Sequence, residues 1–212
     1  TPQDAARALR YGAKGIGLCR TERMFNAADR LPIVVDMIVA ETPEDRRAAL
    51  DRLLPIQRAD FVGIFRGMAP HPVTIRLLDP PIHEFLPTER QLEDDIARLH
   101  DLRGAARGME VLTEAARFAP DTLIPATLRD FGETRLIDSI IARKEAILRK
   151  ARALREVNPM LGHRGVRLGI TYPEIYTMQI RAVLEAAADC VRSGVEVHPE
   201  IMVPQVCTAQ EL

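Results

Sequence analysis

Four short apolar runs, at residues 15–20, 72–79, 165–170 and 200–206, are separated by much longer stretches of helical periodicity. Strands that alternate with helices cannot be joined by tight hairpins, so the pattern predicts an α/β fold with parallel strands. The second run is the sharpest. Pro72-Val73-Thr74-Ile75-Arg76-Leu77-Leu78-Asp79 stops at Pro80-Pro81, which have no backbone N–H to offer a continuing ladder. Side-chain alternation places Thr74, Arg76 and Leu78 on one face of that strand.

The helical stretches carry their own punctuation. Thr1, Pro2 and Asp4 read as a cap, a first-turn proline and a first-turn acid, and Ala6, Leu9 and Ala13 follow at helical spacing until Gly12 ends the segment. Residues 31–40, 44–54 and 57–68 are also expected to be helical, the second behind the cap Thr42 and Pro43. Residues 173–193 form a further predicted helix, stopped by Gly194. Between residues 88 and 157 only helical patterning occurs, for example Leu92, Ile96 and Leu99, which predicts a helical insertion in the α/β domain. Four strands do not close a (β/α)8 barrel, which takes about 250 residues without such an insertion. The expectation is a partial TIM barrel bounded at both ends, because the chain opens on a helix cap without methionine and stops at residues 209–212, where another helix is due.

Composition narrows the function classes. Of 212 residues, 47% are hydrophobic and 28% charged, the balance of a globular protein rather than a disordered one. The 29 basic and 30 acidic residues leave a net charge of −1, so no excess of cations favours nucleic acid or an anionic membrane, and no apolar run approaches spanning length. A cytoplasmic location is the expectation. Cys19, Cys190 and Cys207 form no C-x-x-C pair and read as reduced thiols. No P-loop, dinucleotide fingerprint, zincin or nucleophile-elbow motif is present, and Gly15-Ile16-Gly17 is short enough to be explained by helix–strand packing. The basic run from Arg143 to Arg155 is interspersed with apolar residues and reads as a solvated helix face.

Three arginines remain as candidates. Arg20 closes the first run, Arg76 lies inside the second and Arg164 precedes the third, so all could meet at the rim of a parallel sheet. Guanidinium forks match phosphate oxygens two at a time and stay charged at any working pH. The competing reading pairs Arg20 with Glu22 and Arg76 with Asp79 as satisfied structural charges.

Gly15-Ile16-Gly17-Leu18-Cys19-Arg20-Thr21-Glu22, the stretch from Thr74 to Pro87, Asn158-Pro159-Met160-Leu161-Gly162-His163-Arg164-Gly165, Gly169 to Glu174 and Pro199 to Pro204 resemble, in the same order, the pyruvate, phosphate dikinase family of phosphoenolpyruvate (PEP)-utilising enzymes. Phosphoenolpyruvate synthase and Enzyme I of the sugar phosphotransferase system are similar barrels, but they differ after the second arginine. The resemblance implies a segment holding about strands two to five of the PEP/pyruvate-binding TIM barrel. It also implies that Arg20, Arg76 and Arg164 bind the phosphoryl group of PEP. The family exchanges that group between pyruvate and a phosphohistidine on another domain, while a further domain uses ATP and phosphate. Mg2+ is the implied cofactor, with its ligands and the family's catalytic cysteine expected beyond Leu212, so no metal ligand and no catalytic residue is assigned within the chain. The isolated segment is expected to be inactive, and the intact enzyme to be a homodimer. Alternatives are a phosphoenolpyruvate synthase barrel or a non-catalytic assembly module.

Overall fold

The computed structural model describes residues 1–116, 134–155, 158 and 162–212. Helix α1 (Pro2–Arg10) opens on a capping box in which the Asp4 amide donates to Thr1 Oγ1 at 3.2 Å and the Thr1 amino group donates back to the Asp4 carboxylate. The chain turns at Gly12, whose φ of 91° suits a residue without Cβ, and enters strand β1 (Ile16–Arg20). Helices α2 (Glu22–Phe25) and α3 (Leu31–Val39) follow. Helix α4 (Pro43–Met68) joins the two stretches expected at 44–54 and 57–68 into 26 residues, running straight through Pro55. Its buried face, from Ala49 through Leu53 and Phe61 to Met68, outweighs the hydrogen bond that proline removes.

Strand β2 (Pro72–Arg76) leads through a 3-10 turn at Ile82–Phe85 to helices α5 (Glu89–Ala116) and α6 (Thr134–Ala153). Beyond them lie α7 (Val166–Thr171), α8 (Pro173–Arg192), strand β3 (His198–Met202) and a 3-10 turn at Ala209–Glu211. The chain divides into two compact units, Thr1–Phe85 with Glu156–Leu212, and Leu86–Arg155. Of the insertion expected over 88–157, residues 117–133 and 156–157 lie outside the described residues, as do Pro159, Met160 and Leu161 of the motif before Arg164.

The sheet is parallel in the order β1-β2-β3, the open arrangement of a partial (β/α)8 barrel. It has three strands where four were expected, because Val166–Thr171, within the third expected strand, forms helix α7. Val166, Leu168 and Ile170 alternate like a strand, but two local contacts decide otherwise. Gly165 has φ 58°, outside any strand conformation, and Gly169 lies so close to Tyr176 that a Cβ would sit 2.5 Å from its ring. Strand β3 also begins and ends earlier than expected, and Gln205, at φ 60°, lies beyond its end.

Register pairs Ile16 with Val73, Arg20 with Arg76, Val73 with Pro199 and Arg76 with Met202. One face of β2 carries Val73 and Ile75 into a core formed with Ala5, Phe61, Ile64, Phe65, Met68, Ala182, Val183, Ala186 and Cys190. Each of the large side chains in that layer contributes about 1.5–3 kcal/mol on burial. The opposite face carries Thr74 and Arg76, and there Thr74 Oγ1 donates to Glu200 at 2.5 Å. All three cysteines are free thiols. None of the described helices is long and apolar enough to cross a membrane.

Candidate functional site

Parallel strands bring their C-terminal ends to one rim, and Arg20 and Arg76 are the last residues of β1 and β2. The ladder makes them direct neighbours. Arg164 reaches the same rim from the segment before α7. It is joined to Arg76 through Asp79: Arg76 Nη1 lies 2.9 Å and Arg164 Nη2 2.7 Å from Asp79 Oδ2, and Arg164 Nε donates to Oδ1 at 3.3 Å. Asp79 is 3% exposed. Its hydrogen bond raises the pKa of the Arg164 guanidinium further, against a smaller opposing effect of burial.

Glu22 completes the cluster from the first turn of α2. Its Oε1 accepts from Arg76 Nη2 at 2.6 Å. The sequence offered Glu22 as a partner for Arg20, two residues away, whereas the fold gives it to Arg76 on the next strand. Arg76 is therefore held by carboxylates on both sides. Arg20 is exposed and forms no ion pair among the described residues. Three guanidinium groups against two carboxylates leave one unbalanced positive charge, and Arg20 is the group that carries it. Glu22 Oε2 and Arg76 Nε are buried without a hydrogen-bond partner among the described residues, which leaves polar capacity unspent beside the arginines.

The backbone at this rim is held by side chains that sequence reasoning did not single out. Thr21 Oγ1 donates to the carbonyl of Arg76 at 3.1 Å, and the Gln179 amide nitrogen donates to Thr21 Oγ1 at 3.2 Å. The Leu78 amide donates to Gln179 Oε1 at 2.8 Å, and the Tyr176 hydroxyl donates to the Leu78 carbonyl at 2.9 Å. Burial, with the nearby Asp79 charge, pushes the Tyr176 phenol well above its ordinary pKa and keeps it a donor. On the far side the Gly165 amide donates to the Asp79 carbonyl at 2.9 Å. A Cβ on Gly165 would lie 2.8 Å from the Pro204 carbonyl oxygen, so the approach requires glycine. Gln179 is the one residue whose polarity could have been noticed, an amide amid the apolar face of a predicted helix.

Among the described residues no group of three or more His, Cys, Asp or Glu side chains is placed to hold a metal ion. The two carboxylates nearest the arginines, Glu22 and Asp79, are taken up by guanidinium, so these residues do not fit a Mg2+ site. Arg76 and Arg164 share one carboxylate and Arg20, the neighbour of Arg76 in the ladder, forms no ion pair among the described residues, a set of groups whose chemistry suits an anion with several oxygens.

The model of one family, described as the PEP-binding domain of PEP-utilising enzymes, matches residues 1–212. The chain is 47% identical over 211 residues to pyruvate, phosphate dikinase of Entamoeba histolytica, a match covering 100% of this chain and 20% of that protein. It is 49% identical over 213 residues to the chloroplastic pyruvate, phosphate dikinase 1 of Oryza sativa, covering 100% of this chain and 18% of the relative. The chloroplastic pyruvate, phosphate dikinase 1 of Arabidopsis thaliana is 48% identical over 212 residues with the same coverage, 100% and 18%. The chain thus spans no more than 20% of the length of these relatives.

Proposed function

The chain belongs to the PEP-utilising enzymes, through their PEP-binding domain, and on that premise we propose that Arg20, Arg76 and Arg164 bind the phosphoryl group of phosphoenolpyruvate. The observation that carries the reading is the junction at the rim: two arginines adjacent in the ladder, the second tied to Arg164 through one buried carboxylate. A phosphoryl group in flight spreads its charge over three equatorial oxygens, and fixed guanidinium forks meet that charge without reorganising. Asp79 takes part by letting two cations stand side by side before the anion arrives.

The whole-protein activity that fits this site is that of a pyruvate, phosphate dikinase. It would interconvert ATP, pyruvate and phosphate with AMP, phosphoenolpyruvate and diphosphate through a phosphohistidine carried on another domain. The similarity to dikinases over the full chain supports this reading over phosphoenolpyruvate synthase. Mg2+, where bound, would neutralise charge on the substrate; the part played by this chain is to grip the phosphoryl oxygens. The test is Arg76→Ala in the dikinase that carries this chain. Loss of one preorganised charge donor should lower kcat/KM for phosphoenolpyruvate about 100- to 1,000-fold. Kinetics equal to those of the unsubstituted enzyme would overturn the assignment.

A further inference from the structure

The end of β2 is held in an unusual way. Its last ladder bond is donated by the Leu77 amide to the Met202 carbonyl at 3.0 Å, and one residue later the main chain is claimed by side chains of α8. Both polar groups of Leu78 are taken: Gln179 Oε1 accepts from its N–H and the Tyr176 hydroxyl donates to its C=O. Tyr176 and Gln179 are one helical turn apart, so they project together from one face of α8 and replace a neighbouring strand at this position. Gln179 is 0% exposed and spends its amide nitrogen on Thr21, the residue after Arg20. Thr21 in turn donates to the carbonyl of Arg76. One buried amide therefore links the exit of β1, which carries Arg20, to the exit of β2, which carries Arg76 and Asp79. Gly169 makes room for the Tyr176 ring, so α7 belongs to the same support.

We propose that Gln179, with Tyr176, is a positioning residue for the arginine cluster, setting the place of Asp79 through the Leu78 backbone and that of Arg20 through Thr21. The proposal rests on the reading of Arg20, Arg76 and Arg164 as the phosphoryl site. A methionine would fill the same space, although it would leave the buried Leu78 amide without its acceptor, at a cost in stability. What methionine does not supply is direction. Gln179 fixes an acceptor and a donor in one plane, and both end on backbone or side-chain groups adjacent to the arginines.

The test is steady-state kinetics of the dikinase carrying this chain, with phosphoenolpyruvate as the varied substrate. Gln179→Met removes both polar atoms at nearly constant volume, and Tyr176→Phe removes only the hydroxyl. Each should lower kcat/KM for phosphoenolpyruvate about tenfold, the size of a misplaced hydrogen-bonded group. Because part of the effect passes through Asp79, the loss in Gln179→Met combined with Asp79→Asn should fall short of the product of the two single losses. A lower melting temperature with unchanged KM and kcat for both single variants would make the strut structural only and overturn the proposal. Fully additive losses in the double variant would do the same. If Gln179→Met does not fold, Tyr176→Phe decides alone by the same kinetic criterion. Arg76→Ala, assayed in parallel, separates the two readings. Wild-type kinetics in that variant overturn the phosphoryl site itself, whereas impaired Arg76→Ala beside wild-type Gln179→Met and Tyr176→Phe overturns only the strut.

Discussion

Between α5 and α6, Lys144 meets Asp95, Arg103 meets Asp138, and Arg152 meets Glu89 and Glu93, with side chains such as Asp95 and Asp138 45% exposed. At the strand exits, Arg76 and Arg164 close on an Asp79 side chain that is 5% exposed. The charged groups are the same in kind, but their energetics differ. A solvated pair contributes about 0–1 kcal/mol and is screened by salt. A buried carboxylate between two guanidinium groups costs several kcal/mol of desolvation, and its mutual attraction barely offsets that cost. The α5–α6 pairs therefore add little to stability, and the Asp79 junction is poorly explained as a source of stability; under the proposed function it holds two cations for a ligand.

Substitutions can break this contrast, in descending order of expected effect. Asp79→Ala leaves two partly buried guanidinium groups without their shared partner and should destabilise the Thr1–Phe85 and Glu156–Leu212 unit by about 3 kcal/mol. A denaturant titration of the chain would measure it, and a loss under about 1 kcal/mol would place this junction with the surface pairs. Gly165→Ala forces a side chain onto φ 58° and against the Pro204 carbonyl, with an expected cost of about 1–3 kcal/mol by the same measurement. Arg152→Ala should change stability by no more than about 0.5 kcal/mol, and less in high salt.

The smallest effect is a titration. A hydrogen bond from Lys144 lowers the Asp95 pKa below its ordinary value of 3.8. A depressed carboxylate stabilises the fold above its unfolded pKa, and that contribution is lost as pH falls through the folded value. The carboxyl carbon shift of Asp95 should titrate below 3.8 and move upward in Lys144→Met. An unmoved midpoint would show that the pair is not formed in solution.

Local grammar made most of the barrel segment readable. Thr1-Pro2-Gln3-Asp4 carries its cap within a single turn, whereas β2, expected to run to Asp79 before Pro80-Pro81, ends at Arg76, just before side chains of α8 take over the main chain. The arginines were visible because each stands within or beside an apolar run. Their partners were not. Arg164 and Asp79 are 85 positions apart, and Glu22 reaches Arg76 across 54, distances at which spacing carries no information. Residues 165–170 misled for a related reason: six residues fit either period, and the choice was made by Gly169 lying against Tyr176 on another helix. Tyr176 and Gln179 escaped notice because a polar residue on a helix face ordinarily means solvent, and Thr21 because its partners lie on β2 and α8, far along the chain.

The antiparallel pairing of α5 with α6 bears on how the sheet is reached in time. Thr74 and Glu200 must find each other across 126 positions of chain, a slow and entropically costly closure. Yet Glu89, near the start of that interval, is bonded to Arg152, well along it, by contacts made within the hairpin itself. Once that pairing has formed, the loop still to be closed is about half of what the sequence separation suggests.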